Sequence, residues 1–335
     1  MCRKKQVNPT CRASPPTWKT AGFKPFETIP SVLPWLAALN KRGQGRVHKG
    51  LESWTVCEPK ASECQVRFIA GFPSSNGRLC WSQARMADKF PVTVPEKLPT
   101  RISPCPIVEA VFEVRFVSSQ PWATMPGLLF SMIRERYRTQ EELPLAQFPE
   151  VFRRQDPALV HQPLMQFVGD NFMVRVGPRV VSLNTKSGIY PGWASVRSEL
   201  EWLLQQLSKS GLVQETERLG VRYIDFIAGD IFSGLKIGVQ LDGQALLGVE
   251  TGVTVVLRQG ALALRLQINN AAIATLPSGS AHGSVLDMDA WFGPLDVSVF
   301  DNGLTRFDEA HQAIKGVFFG LLRPDVLVNL NPIYA

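Results

Sequence analysis

Residues 107–117 alternate between apolar and polar side chains, and this pattern constrains the fold more than any other feature of the sequence. The apolar positions are Val108, Ala110, Phe112, Val114 and Phe116. The polar positions between them include Glu109, Glu113 and Arg115. Because successive side chains of a strand point to opposite faces of a sheet, the segment predicts a strand with one core face and one mostly polar face.

The segments that follow predict a ferredoxin-like unit. An amphipathic helix pattern covers residues 125–137, and short strand patterns follow between residues 164 and 184. A second helix begins at Trp193 and ends at Gly211, and a further strand covers residues 219–227. This order is that of a split βαβ unit with one added strand. We therefore predict a ferredoxin-like first half at residues 95–228.

Residues 229–335 predict a second, strand-rich half. Residues 253–268 form a hairpin pattern, and another strand pattern covers residues 285–292. The last helix pattern, at residues 303–322, has the same apolar spacing as the helix that begins at Trp193. The sequence thus predicts an α+β protein of two related halves, with antiparallel or mixed sheets and amphipathic helices on one face.

The first quarter of the chain differs from the rest in charge. The whole chain has 36 Lys+Arg and 29 Asp+Glu residues, a formal net charge of +7. Residues 1–85 contain 14 basic and 4 acidic residues, so their balance is +10 and that of residues 86–335 is −3. Nucleic-acid binding normally requires a basic surface. The negative balance therefore argues against nucleic-acid binding by residues 86–335.

Two interpretations of residues 1–85 remain open. Only 16 of these residues are Leu, Ile, Val or Phe, too few for a charged segment to form a core. The segment is either a disordered basic extension or a translated upstream region, in which case the natural start is Met86. Its basic residues are scattered, which argues against a nucleic-acid-binding arm. Its cysteines lack the paired spacing of a zinc module. Its apolar patch begins too late in the segment for a secretory leader.

Residues 98–116 resemble the opening of a sporadically distributed family of uncharacterised bacterial and archaeal proteins. The run reads L-P-T-R-I-S-P-C-P-I-V-E-A-V-F-E-V-R-F, and the similarity continues at residues 217–224 and around His311. It covers residues 95–335, and the family's proteins are about as long as this chain counted from Met86. The resemblance implies a start at Met86, but it implies no activity, cofactor or catalytic residue.

The polar face of the strand at residues 107–117 is the most prominent candidate site. A neighbouring strand of a ferredoxin-like sheet brings two further arginines beside it. The candidate binding residues on this face are Glu109, Glu113, Arg115, Arg218 and Arg222. They could bind a carboxylate or phosphate ligand bidentately, or tune a carboxylate for acid–base chemistry. The alternative is a structural ladder of ion pairs.

Four further polar residues are candidates. His311 lies at a core position of the last predicted helix, either as a buried imidazole or as a group that faces a cavity. Asp287 and Asp289 share one face of their strand, near His282, and these three could bind a divalent cation. More often such carboxylates protect the solvent-facing side of an edge strand. We therefore predict no metal site and keep these residues as weak metal candidates.

The remaining motif searches are negative. The sequence lacks the phosphate-loop, dinucleotide-binding, zinc-protease and nucleophile-elbow motifs, so we predict no cofactor. No apolar run approaches the length of a membrane-spanning helix, so we predict no membrane association. Cys105 is the only cysteine of residues 86–335, which suits a reducing compartment and predicts a cytoplasmic protein.

Three functions remain open. The first is a non-enzymatic binding or assembly module that holds a protein partner, a second copy of itself or an anionic ligand. The second is an RNA-binding or RNA-processing protein, by fold-level analogy with tandem ferredoxin-like domains. The third is a hydrolase that uses paired carboxylates. No catalytic residue is assigned for any of them.

Overall fold

The computed structural model describes residues 90–334, apart from residues 247–248, 277–278 and 296–297. The predictions for residues 1–85 and for a start at Met86 lie outside the described residues. In the part of the chain that is described, no helix is both long enough and apolar enough to cross a membrane.

The described chain contains eleven strands and five α-helices. The strands are β1 (Ile107–Ser118), β2 (Thr139–Glu142), β3 (Met165–Val168), β4 (Phe172–Gly177), β5 (Val180–Thr185), β6 (Val213–Ala228), β7 (Gln240–Leu241), β8 (Gln244–Ala245), β9 (Gly252–Gln259), β10 (Leu262–Leu276) and β11 (Gly279–Phe292). The helices are α1 (Met125–Ile133), α2 (Glu150–Gln155), α3 (Trp193–Ser210), α4 (Val299–Leu321) and α5 (Pro324–Asn329). Two short 3₁₀ helices cover Pro144–Gln147 and Ile231–Gly234.

Nine strands form one antiparallel sheet in the order β2-β3-β4-β5-β1-β6-β11-β10-β9. β7 and β8 pair separately as a small hairpin. The α+β class and the antiparallel sheet are thus confirmed. The strands of both predicted halves belong to this sheet, because β6 pairs with β1 on one side and with β11 on the other.

The apolar face of β1 lies in the core. Ala110, Phe112, Val114 and Phe116 are buried, as the alternation predicts. The Phe112 ring contacts Trp193 at the start of α3 and Phe307 in α4, with centroid distances of 5.9 and 6.5 Å. Burying a phenylalanine of this kind contributes about 2 kcal/mol. Packing against β1 therefore places α3 and α4 over the same face of the sheet.

α4 begins at Val299, before the predicted start at Gly303. Ser298 caps the helix, since its hydroxyl accepts a hydrogen bond from the backbone N–H of Phe300. Two glycines of α4, Gly316 and Gly320, let residues 92–94 lie against the helix. A Cβ on Gly320 would lie only 2.8 Å from the carbonyl oxygen of Thr93. The close approach of these two backbones therefore requires glycine.

Residues 98–106 form a strap that is fastened to the C-terminal segment. The backbone N–H of Thr100 donates to the carbonyl of Ile333 at 2.7 Å. The N–H of Ser103 donates to the carbonyl of Leu330, also at 2.7 Å. Segments from the two ends of the described chain thus lie side by side before β1 begins.

Two predictions about the strands need correction. β11 lies between β6 and β10, so Asp287 and Asp289 are not on an edge strand, and both are buried. The antiparallel pairing of β6 with β11, which joins distant parts of the chain, places them inside the sheet. In addition, β6 begins at Val213 rather than Leu219, because its polar first residues continue the pairing with β1 through two irregular steps.

Candidate functional site

The polar face of β1 carries a network of ion pairs, which we call the ion-pair face. Glu113 accepts a hydrogen bond from Arg115 at 2.7 Å and also binds Arg218. Arg218 donates to Asp289 of β11 at 2.6 Å. Arg265 of β10 approaches the other oxygen of Asp289 at 3.3 Å. These side chains link β1, β6, β11 and β10 across the face opposite the helices.

Two more ion pairs complete the ion-pair face. Arg222 donates to both oxygens of Asp287, from Nε at 2.7 Å and from Nη2 at 2.6 Å. Arg175 of β4 donates to Glu109 at 3.2 Å. The five binding residues predicted for this face therefore lie on it, and each is paired there with an oppositely charged side chain, whereas His311, the sixth predicted binding residue, lies on the other side of the sheet. Their guanidinium groups already bind carboxylates, which leaves few donors for an anionic ligand.

The three weak metal candidates do not form a cluster. Asp287 and Asp289 bind arginines, and His282 lies opposite Ile273 near the end of the β10–β11 hairpin. Across residues 90–334 as described, no group of three or more His, Cys, Asp or Glu side chains is placed to hold a metal ion.

A cavity of about 610 Å³ lies on the other, helix-covered side of the sheet. The strap forms one wall, and α4 and the residues around the start of α3 form others. Aromatic and aliphatic side chains make up much of the lining, including Ile102, Tyr190, Trp193, Met288, Ile314 and Phe318. The polar groups of the lining include Tyr223 and Asp225 of β6, with His311 and Lys315 of α4.

A chain of hydrogen bonds crosses the cavity wall. The hydroxyl groups of Tyr190 and Tyr223 lie 3.2 Å apart, and the Tyr223 hydroxyl lies 2.9 Å from Nδ1 of His311. The imidazole of His311 stacks on Trp193, with ring centroids 4.1 Å apart and planes 8° apart. Burial lowers the pKa of His311 to about 4. Burial also raises the pKa of Tyr190 to about 12. All three polar rings are therefore neutral near pH 7.

Asp225 is the buried carboxyl group of the cavity. It follows Tyr223 by two positions along β6 and so shares its face. Its exposed fraction is 2%, and no hydrogen bond reaches its side chain from the described residues. Burial, with a smaller contribution from the charge of Asp287, raises the pKa of Asp225 to about 7. A buried carboxyl without a partner is costly unless a ligand or a proton satisfies it.

The cationic groups of the cavity lie nearer the solvent than Asp225. Lys315 is half-buried, and burial lowers the pKa of its ammonium group. Arg101 of the strap is exposed, as is Cys105. The site therefore has an acidic or neutral interior and a basic rim. An asymmetric arrangement of this kind orients a ligand that carries two different polar ends.

No protein-family model matches the chain, and no curated protein matches it either. The family resemblance at residues 98–116 therefore stays a prediction.

Sequence reasoning identified His311 but missed three other polar residues of the cavity: Tyr190, Tyr223 and Asp225. One signal was available. Leu219, Val221 and Tyr223 alternate along the core face of β6, and the next position on that face is Asp225. A carboxyl group at a core position marks either a buried ion pair or a site, and the described contacts give Asp225 no ion pair.

Proposed function

We propose that the protein is a non-enzymatic binding protein whose cavity holds a small organic molecule. The observation that carries this proposal is the Asp225 carboxyl group, which is buried, has no hydrogen-bond partner among the described residues and lines a cavity of about 610 Å³. Pockets for small ligands typically measure about 300–1,000 Å³ and combine apolar walls with a few polar groups.

The environment of Asp225 defines the inner end of the ligand. A ligand amine or amide N–H would donate to this carboxylate and replace the hydrogen bonds that burial removed. A protonated amine would do so most strongly, because a charge-assisted hydrogen bond is roughly twice as strong as a neutral one. His311 and Tyr223 beside it are neutral, so they add no positive charge that would repel an amine.

The walls and rim define the rest of the ligand. Trp193, Tyr190 and Phe318 offer aromatic surface to an apolar or aromatic body. Lys315 and Arg101 near the solvent would favour a carboxylate or phosphate at the outer end. The ligand class that fits best is thus a small molecule with an amine at one end, an apolar body, and an acidic group at the other end.

The ion-pair face gives less support to the anionic-ligand hypothesis, since its arginines are already bound to carboxylates. The same pairing weighs against a hydrolase that uses Glu109 and Glu113. The RNA hypothesis rests on fold analogy alone. The strand order β4-β5-β1-β6 does match that of a ferredoxin-like sheet, which supports this description of the first half but implies no function.

The proposal is tested with the full chain and three probes that share a phenyl ring: 2-phenylethylamine, 3-phenylpropionate and 4-(2-aminoethyl)benzoate, whose amine and carboxylate lie at opposite ends of the ring. Binding is measured by calorimetry and by the shift in melting temperature, since a ligand that binds only the folded state raises that temperature. We expect saturable binding of phenylethylamine and aminoethylbenzoate, with aminoethylbenzoate the tighter of the two, and weaker binding of phenylpropionate.

Two variants assign any binding to the cavity. Asp225→Asn keeps the shape of the side chain and should weaken binding of phenylethylamine at least tenfold. The matched control is Asp170→Asn, at an exposed carboxylate in the turn between β3 and β4, which should leave binding unchanged. Equal affinity of both variants for the amine, or no saturable binding of any probe, would overturn the proposal.

A further inference from the structure

The two ends of the nine-stranded sheet are protected very differently. At one end, β2 is four residues long, fully exposed and carries two glutamates. At the other end, β9 is eight residues long, has no proline and no acidic residue, and pairs only with β10 within the described residues. Natural sheets usually protect an edge by shortness, charge or proline, because its free backbone groups can pair with another strand.

β9 is only partly covered, although Val253 and Leu257 pack against the core. Val253, Val255 and Leu257 lie opposite Ile268, Leu266 and Leu264 of β10 and so share the core face of the sheet. Val255 nevertheless keeps 40% of its surface exposed, and Val256 on the other face keeps 49%. Apolar surface is thus exposed on both faces of a strand whose outer backbone edge pairs with no other strand among the residues that the structure describes.

We propose that two copies of this chain associate through β9, which pairs with its own copy in antiparallel orientation about a two-fold axis. In such an isologous interface the same strand supplies both sides, so the strand must be complementary to itself. The pairing would join the two nine-stranded sheets into one continuous sheet. It would also give the open backbone edge its hydrogen-bond partners.

The sequence around β9 is complementary to itself in this orientation. A two-fold axis at Thr254 places Val253 opposite Val255 of the partner subunit, which brings core-face apolar residues together. The same register places Glu250 opposite Arg258 of the partner subunit. Glu250 and Arg258 are the only charged residues between positions 250 and 259, so the symmetric pairing contains two pairs of opposite charge. This complementarity favours a second copy over an unrelated extended peptide.

Sedimentation velocity of the full chain at several protein concentrations tests the proposal. We expect a reversible monomer–dimer equilibrium. The variants Arg258→Glu and Glu250→Arg each place like charges opposite one another at two symmetric positions, and each should raise the dissociation constant about tenfold or more. The double variant restores opposite charges and should recover most of the affinity. The control is Glu141→Arg in β2, which should have no effect.

Three outcomes would overturn the proposal. A full chain that stays monomeric at the highest concentration has no such interface. A dimer that both single variants leave unchanged associates through another surface. Loss of association in both single variants without recovery in the double variant would exclude the antiparallel register. None of these outcomes depends on whether the cavity binds a ligand, because β9 contributes no residue to the cavity lining.

Discussion

Arg222 and Asp287 are joined by two parallel hydrogen bonds, of 2.7 and 2.6 Å, across the pairing of β6 with β11. The arginine side chain is 30% exposed and the carboxylate 11%. Bidentate pairs of this kind fix geometry as well as charge. The pair holds together two strands that are distant in sequence, and it places a negative charge near Asp225 on the other side of the sheet.

Replacing only the arginine of this pair should destabilise the fold. Arg222→Met leaves Asp287 buried without its partner, and we expect the free energy of unfolding to fall by about 2–3 kcal/mol. The double variant Arg222→Met/Asp287→Leu removes both charges and should recover most of that loss, because apolar pairs can replace buried ion pairs. Urea unfolding of both variants measures the difference.

The matched control is Arg154→Met in α2. Arg154 pairs with Glu150, but their side chains are 76% and 55% exposed, so the change should cost less than about 0.5 kcal/mol. Similar losses for Arg154→Met and Arg222→Met would contradict a structural role of the Arg222–Asp287 pair.

Asp225 should make the protein less stable as the pH rises. Its pKa is about 7 in the folded state and 3.8 ordinarily, so the folded state retains a proton that the unfolded state has lost. The protonated carboxyl group contributes about 4 kcal/mol to the free energy of unfolding. This contribution is fully present below pH 3.8 and is lost as the pH rises through 7. Asp225→Asn should abolish the loss and be more stable than the unaltered chain at pH 8.

His311 should have the opposite pH dependence. Its pKa is about 4 in the folded state and 6.5 ordinarily, so the unfolded state takes up the proton first. The contribution is present above pH 6.5 and is lost as the pH falls through 4, a total of about 3 kcal/mol.

The two contributions nearly cancel between about pH 4 and pH 6.5. In Asp225→Asn the free energy of unfolding should therefore rise with pH over this range. In His311→Gln it should fall. Chemical unfolding at a series of pH values measures both slopes. Slopes of the same sign in the two variants would show that at least one of these groups is not in the protonation state described above.

Gly320→Ala should disturb the segment that leads into the strap. The added methyl group would lie 2.6 Å from a methyl of Val92 and 2.8 Å from the carbonyl oxygen of Thr93. A side chain could rotate away, but the backbone carbonyl cannot. We expect a net destabilisation of about 1–2 kcal/mol, since the strain outweighs the gain in helix propensity.

Gly316→Ala is the comparison for this variant. Its methyl group would meet only Val94 side-chain atoms, at 3.3 Å. A small shift relieves that contact, and the helix gains propensity, so stability should change by less than about 1 kcal/mol. Thermal unfolding of the two variants measures the difference, and an equal effect would mean that the segment is not held closely against Gly320.

Local periodicity predicted the elements with strong apolar patterns. The stripe that begins at Trp193 predicted the bounds of α3. The alternation at residues 107–117 predicted the start and the core face of β1, and its end to within one residue. β2 was missed because Thr139–Glu142 has no apolar residue, and only its pairing with β3 makes it a strand. The polar start of β6 was missed for the same reason. Such elements depend on long-range backbone pairing rather than on local composition.

The residues of the candidate site likewise divide into those that local patterns predict and those that depend on long-range pairing. The sequence grouped Glu109, Glu113 and Arg115, because alternation along a single strand is local information. It did not place Asp287 and Asp289 on the ion-pair face beside them, because that depends on which distant strand pairs with β6. Asp225 was visible in the alternation of β6. Its lack of a partner among the described residues, however, depends on the cavity that the strap and α4 line.

The strap lines the cavity and is hydrogen-bonded to the C-terminal segment, so the cavity is linked to a part of the chain that is distant in sequence. Ile333 contributes nothing to the cavity lining, yet its carbonyl group holds Thr100, which does. An occupant that presses on the strap would therefore change the strength of these backbone hydrogen bonds. Amide hydrogen exchange at Thr100 and Ser103 would record this change. The rate at which the strap separates locally from the C-terminal segment would therefore report what the cavity contains.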